Sequence, residues 1–127
     1  GAEAAHALVP EAHLAFFRTL VLRHEEDGFA FVHAGVRPGI PLAEQAREDL
    51  LWIREQFLSD NKALGAVIVH GHTPAPQPHK DSRRVGIDTG AYLSGRLTAA
   101  RFEHDRVEFI STGPRADADS APATKVS

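Results

Sequence analysis

The sequence contains no cysteine and no methionine, and only one tryptophan and one tyrosine. The lack of cysteine excludes disulfides, zinc–thiolate sites and a thiol nucleophile within these 127 residues. No apolar run approaches the roughly 18 residues of a transmembrane helix, so no membrane partner is expected. The net charge of −3 argues against sequence-independent binding of nucleic acid. Residues 1–13 lack the basic and apolar regions of a signal peptide, which predicts a cytoplasmic protein.

The apolar pattern predicts one mixed α/β domain. We expect a helix over residues 10–20, a hairpin around Asp27-Gly28, a helix over 43–58 and a strand over 65–71 that is buried on both faces. Further short strands are predicted within residues 83–92, 95–104 and 105–111. Residues 112–127 are small and polar, and this composition predicts a disordered tail.

Histidines follow two of the predicted strands. His33 ends the strand over residues 29–32, and His70 and His72 end the strand over 67–69. The helix predicted between these strands gives the segment the form of a β-α-β crossover, and the carboxyl ends of such strands meet at one edge of the sheet. This placement favours a metal or phosphate site, although it does not specify which.

Four segments occur in order: "FVHAGVRPG", "DLLWIRE", "VIVHGHTP" and "GIDTGAYLSGRLTA". Together they resemble the C-terminal half of bacterial metallophosphoesterases of the serine/threonine phosphoprotein phosphatase type, within the calcineurin-like superfamily. The resemblance covers residues 10–112 and implies half of a two-sheet sandwich, a mixed sheet with flanking helices, as a partial domain over residues 1–111.

The resemblance also implies roles for individual residues. His33 and His72 match two ligands of one metal, Arg54 matches the arginine that binds substrate phosphate, and Tyr92 matches a tyrosine near that phosphate. Asp88 and Thr89 would shape the loop behind the site. Family members use two divalent metal ions, often Mn²⁺, with Fe or Zn as alternatives, about 3.5–4 Å apart.

The sequence departs from the family in lacking three earlier motifs, Asp-x-His-Gly, Gly-Asp-x-x-Asp-Arg-Gly and Gly-Asn-His-Glu. It therefore retains two ligands of one metal and none of the other, whereas catalytic sites usually use three protein ligands around a single ion. We expect the chain to be the C-terminal portion of a phosphatase and to be inactive alone.

The leading function is a serine/threonine protein phosphatase, with a phosphoprotein or phosphorylated small molecule as substrate. The alternatives are a symmetrical dinucleoside-tetraphosphate hydrolase, a non-catalytic interaction module, and a mononuclear site made by His33, His72 and a carboxylate such as Asp88. A strand with two apolar faces also predicts self-association through an exposed sheet edge.

Other residues of the motifs have plainer interpretations. We expect His70 to be a hydrogen-bonded structural residue, because only His72 falls on the family's ligand position. Trp52 is expected in the core. For Arg37 and Arg96 the sequence leaves two interpretations: each side chain either lines a positively charged cleft or is simply solvated at the surface.

Overall fold

The computed structural model of the protein describes residues 8–113 and the backbone of residues 124–125. The helices are α1 (Glu11–Thr19), α2 (Arg47–Trp52), α3 (Glu55–Leu58) and α4 (Ala91–Ser94), with a 3-10 turn at Leu42–Glu44. The strands are β1 (Arg23–Glu26), β2 (Phe29–Val32), β3 (Val67–His70), β4 (His79–Lys80), β5 (Arg84–Gly86), β6 (Thr98–Glu103), β7 (Arg106–Ser111) and β8 (Thr124–Lys125). Among the described helices, none combines the length and apolarity needed to span a membrane.

The strands form two sheets, which confirms the predicted mixed α/β class. The larger has the order β1-β2-β3-β5-β4, and the smaller has the order β6-β7-β8. β3 runs parallel to β2 and to β5, whereas β1 and β4 are antiparallel edge strands. The parallel pairing of β2 with β3 confirms the predicted crossover and brings the ends of both strands to one edge of the sheet.

The turn between β1 and β2 is the predicted two-residue turn. Glu26 lies opposite Phe29, which leaves Asp27 and Gly28 as the loop. Both loop residues have positive φ, 49° and 82°. A type I′ turn requires this backbone at both positions, and its twist matches that of the flanking strands.

The crossover from β2 to β3 differs from the continuous helix predicted over residues 43–58. It is divided into the 3-10 turn, α2 and α3, because Ile53 has an extended backbone and Arg54 lies outside the helical region, with φ −130° and ψ −103°. The apolar stripe behind this prediction, Ala46, Leu50, Ile53 and Phe57, is nonetheless largely right, since all of these residues except Ala46 are buried. The prediction missed the break because apolar spacing does not report the backbone of single residues.

β3 is buried on both faces, as predicted. Ile68 packs with Ala30 and Phe57 in a core under the crossover helices. Val69 points to the opposite face, where it joins Phe29 in a second core that includes residues of β6 and β7. The site-bearing strand is therefore held between two layers.

The predicted N-terminal helix and the three later strands are present as α1, β5, β6 and β7, while the short β4 and α4 were not predicted. Most of the 112–127 tail lies outside the described residues. Within it, the backbone of residues 124–125 pairs with the start of β7.

Arg83 is half-buried, and its guanidinium interacts with α3 and with the loop that follows it. It pairs with Asp60 at 3.2 Å and donates to the carbonyls of Lys62 and Phe57. The two ion-pair side chains are only 10% and 16% exposed. We expect Arg83→Ala to lower the free energy of unfolding by about 3 kcal/mol, since it removes the counter-ion of a shielded carboxylate and the side-chain donor to two carbonyls.

Urea denaturation of the 127-residue chain measures this loss. The matched control is Arg101→Ala, whose ion pair with Glu103 is 60% exposed on both sides and should contribute under about 1 kcal/mol. Equal losses in the two variants would contradict the role assigned to Arg83.

Candidate active site

The two histidines predicted as metal ligands lie side by side at the carboxyl ends of β2 and β3. The ring centroids of His33 and His72 are 5.0 Å apart. The backbone fixes this approach, because the Gly71 amide donates to the His33 carbonyl at 2.9 Å. An added Cβ at Gly71 would lie 3.8 Å from that carbonyl, at ordinary contact distance. The parallel strands thus bring together residues that are far apart in sequence.

The backbone at His72 is strained. His72 has φ of 66°, in the left-handed region that non-glycine residues rarely adopt. The Thr73 amide donates to the Gly71 carbonyl at 2.7 Å, so His72 is the central residue of a three-residue γ-turn with positive φ, a rare and strained form. Strain of this kind concentrates at functional sites, where the surrounding structure holds it in place.

The imidazole of His72 has the properties of a metal ligand. Its Nε2 is shielded from solvent and has no hydrogen-bond partner in the described part of the chain, while the backbone of Trp52 hydrogen-bonds the ring. A backbone bond to one ring nitrogen commonly orients a histidine whose other nitrogen holds a metal. Burial, followed by the charges of Arg54 and His33, lowers the pKa of His72 and favours the neutral, metal-binding form.

The donor set is nevertheless incomplete. Within residues 8–113, no group of three or more histidine, aspartate or glutamate side chains is arranged to hold a metal ion. The alternative of a mononuclear site completed by Asp88 is therefore not supported as a preformed site. The carboxylate of Asp88 instead accepts a hydrogen bond from the Gly90 amide at 2.9 Å. His33 and His72 fit two positions of a coordination shell and leave the others to be supplied from elsewhere.

Arg54 lies against the loop that carries His72. Its Nη1 donates to the His72 carbonyl at 3.1 Å and to Thr73 Oγ1 at 3.3 Å. The break between α2 and α3 places Arg54 here, since a continuous helix would give it a different backbone. Arg54 is exposed and its guanidinium stands beside His72, and its contact with substrate phosphate stays a prediction.

A cavity of about 390 Å³ opens beside the two histidines. His33, His72, Asp88, Thr89 and Arg96 all contribute to its lining. Thr89 is buried and donates to the Arg96 carbonyl at 2.7 Å, which fits the expected role of the 88–89 segment in shaping the loop behind the site. Arg96 thus takes the cleft-lining alternative.

Arg37 follows neither alternative, since it is paired with a carboxylate and is not part of the cavity lining. Its guanidinium donates to both carboxylate oxygens of Asp49, at 2.7 and 2.5 Å. This hydrogen bonding lowers the pKa of Asp49. Arg37 is therefore engaged in an ion pair beside α2, and it does not line the cavity.

His70 is the structural residue that the sequence indicated. It is 3% exposed, its Nδ1 contacts the Gly71 carbonyl at 3.1 Å, and its Nε2 contacts Arg84 Nη1 at 3.2 Å. Burial lowers the pKa of His70 to about 4, so the ring is neutral near pH 7. A neutral ring that donates from Nδ1 and accepts from the guanidinium satisfies both contacts.

The two aromatic residues that the sequence analysis singled out, Tyr92 and Trp52, are both exposed. Tyr92 is on α4, is 86% exposed and does not line the cavity, so its predicted position near the phosphate stays a prediction. Trp52, expected in the core, is 62% exposed, and that expectation was wrong. Its ring lies 5.6 Å from the His72 ring in an edge-to-face arrangement. The apolar stripe gave no sign of this, because Trp52 lies at the end of α2 and off the buried positions.

A mixed sheet with two neighbouring imidazoles at the ends of parallel strands, and an arginine from the crossover beside one of them, is consistent with half of a metallophosphoesterase. The sequence is similar to an enzyme of that class, the asymmetrical bis(5'-nucleosyl)-tetraphosphatase PrpE. It is 33% identical to PrpE of a Geobacillus species over 100 residues, which is 79% of this chain and 38% of that protein. It is 54% identical to PrpE of Bacillus thuringiensis over 63 residues, 49% of this chain and 25% of that protein.

A third relative, PrpE of Halalkalibacterium halodurans, is 48% identical over 48 residues, 38% of this chain and 19% of that protein. The matched part of this chain therefore spans between about a fifth and two fifths of the length of these curated relatives. No protein-family profile matches the sequence. The similarity supports the calcineurin-like metallophosphoesterase superfamily, and it does not specifically support the protein phosphatase type.

Proposed function

We propose that the chain is part of a metal-dependent phosphoesterase that hydrolyses dinucleoside polyphosphates. The observation that carries the proposal is the placement of His33 and His72, with ring centroids 5.0 Å apart, at the ends of two adjacent parallel strands. Sequence similarity to three dinucleoside tetraphosphatases supports the substrate class.

Each residue has a role in this proposal. His33 and His72 hold one divalent metal, and Arg54 binds a phosphate oxygen beside them through the free side of its guanidinium fork. Bound divalent metals supply an activated water and polarise the phosphoryl group. The remaining metal ligands come from outside the part of the chain that the structure describes, since the donor set found there is too small for a catalytic site. Mn²⁺ is the metal we propose, ahead of Fe and Zn.

The competing activity is that of a serine/threonine protein phosphatase, which the four sequence motifs also fit. His33, His72 and Arg54 serve metal and phosphate, and both substrate classes present phosphate to the enzyme. The deciding experiment uses the complete protein, by which we mean the longer polypeptide that the proposal takes these 127 residues to be part of. This protein is stripped of metal and reconstituted with Mn²⁺. We expect a higher kcat/KM for diadenosine tetraphosphate than for a phosphoserine peptide, and no turnover of either after chelation. A preference for the peptide would replace the proposed substrate.

The 127-residue chain alone is expected to be inactive. Its two imidazoles are fewer than the three protein ligands that usually hold even a single catalytic metal. The measurement is hydrolysis of a model phosphomonoester with added Mn²⁺, with His72→Ala as the control. Turnover well above that control would show that the chain holds a working metal centre by itself.

A further inference from the structure

Trp52 is exposed in a segment whose apolar neighbours are buried. Leu50 is 2% exposed and Ile53 is 7% exposed, but Trp52 between them is 62% exposed. α2 ends at Trp52, and the extended backbone of Ile53 turns the next apolar side chain back into the core. A tryptophan buries a large apolar area when it is covered, so leaving most of it in water is costly unless something else uses the ring.

The ring of Trp52 is adjacent to both the proposed metal position and the proposed phosphate contact. It contacts the His72 ring edge-to-face at 5.6 Å, and His72 in turn faces His33. Arg54, two residues after Trp52, is bonded to the carbonyl of the same His72. An aromatic ring and a cation therefore both contact His72, the residue proposed as a metal ligand.

We propose that Trp52 is the stacking surface for a purine or pyrimidine base of the substrate, and that it determines preference for nucleotides over simpler phosphates. This assignment rests on the proposed function. A nucleotide offers a flat aromatic ring joined to phosphate by a short linker, which matches an exposed indole beside an arginine and a metal ligand. Stacking of this kind is tolerant of base identity, because every base has a π face.

The first test measures binding separately from turnover. The ligands are AMP and ribose 5-phosphate, which differ by the base, and the complete protein carries Mn²⁺. Calorimetry should show AMP binding about tenfold more tightly than ribose 5-phosphate. Trp52→Ala should remove this difference, and Trp52→Phe should keep most of it. Phe16→Ala is the matched control, since Phe16 is 59% exposed on α1 and should leave the preference intact.

The 127-residue chain offers a direct optical version of the same test. Trp52 is its only tryptophan, so its emission reports on that ring alone. AMP should quench the emission and ribose 5-phosphate should not. A wild-type protein that binds the two ligands equally, or binds neither, overturns the assignment. So does a Trp52→Ala variant that weakens both ligands to the same extent, which would indicate only structural support of His72.

Turnover separates this inference from the proposed function. In the complete protein, Trp52→Ala should raise KM for diadenosine tetraphosphate about tenfold with little change in kcat. If the wild-type protein prefers AMP and loses this preference in Trp52→Ala, but hydrolyses no dinucleotide, the proposed function fails and the base site stands. Hydrolysis of the dinucleotide without any AMP preference would remove the base site alone.

Discussion

Replacing His72 with alanine is expected to lower the metal-dependent turnover of the complete protein by at least about 100-fold. Removing even a residue that orients a metal ligand typically costs 10–100-fold, and His72 is proposed as a ligand itself. The shielded Nε2 of His72 has no hydrogen-bond partner among the described residues, so this nitrogen is available to a metal ion. His33→Ala should have a similar effect, because the two rings face each other.

The backbone strain at His72 gives this prediction a second measurement. His72→Gly should be as inactive as His72→Ala but more stable by about 1 kcal/mol, because φ of 66° is favourable only for glycine. Urea denaturation of the 127-residue chain compares the two variants. The difference in free energy of unfolding between the two variants measures the backbone strain at position 72, whereas their shared loss of activity reflects the missing metal ligand.

His13→Ala is the control for the histidine variants. His13 lies on α1, is exposed and should leave both turnover and stability within the range of ordinary surface changes. Metal content of the purified complete protein should fall in the His33 and His72 variants and stay unchanged in the control. Full metal content and full activity in His72→Ala would remove the histidine pair from the proposed site.

Gly35→Ala is expected to destabilise the fold by about 3 kcal/mol or more. A Cβ at Gly35 would lie 2.7 Å from Cγ of the Phe57 ring and closer still to Cδ1, inside any permitted contact distance. Phe57 is fully buried, and its ring packs edge-to-face against His70 at 5.0 Å. The ring therefore has little space to move away, and the loss is a large fraction of the 5–15 kcal/mol that holds a typical domain together.

Gly39→Ala is the control for Gly35→Ala, because it introduces backbone strain without a steric conflict. Gly39 has φ of 82°, but an added Cβ there meets nothing within 4 Å, so we expect a loss of only about 1 kcal/mol. Combining Gly35→Ala with Phe57→Leu should cost less than the sum of the two single changes, as expected for residues in direct contact. Thermal or urea unfolding measures all four variants, and additive losses would contradict the assigned conflict.

The parts of the fold that depend on local signals were predicted from the sequence. Asp27-Gly28 specifies its own turn through the backbone that these residues tolerate. The unbroken apolar run Val67–Val69 in β3 indicates two buried faces. The placement of His33 and His72 at one edge also followed, because parallel strands joined by a crossover align their carboxyl ends.

The parts that depend on single backbone angles or on tertiary contacts were not predicted. Nothing in the apolar spacing indicates that Arg54 leaves the helical region and turns toward the His72 loop. The exposure of Trp52 depends on where α2 ends, which periodicity places only approximately. The strained γ-turn at His72 runs against the preference of its own residue type, so local propensity points away from it.

The central position of β3 has a consequence for the order in which the protein assembles. Hairpins β1-β2 and β6-β7 join strands that are neighbours in sequence, so they form from local contacts. β3 has parallel neighbours on both sides, and its pairing with β2 closes a loop that contains the whole crossover. Non-local pairing of this kind is slow to form, so we expect the histidine pair to be created by a late step of folding. Amide hydrogen exchange along β3 would therefore report when, and how often, the site exists.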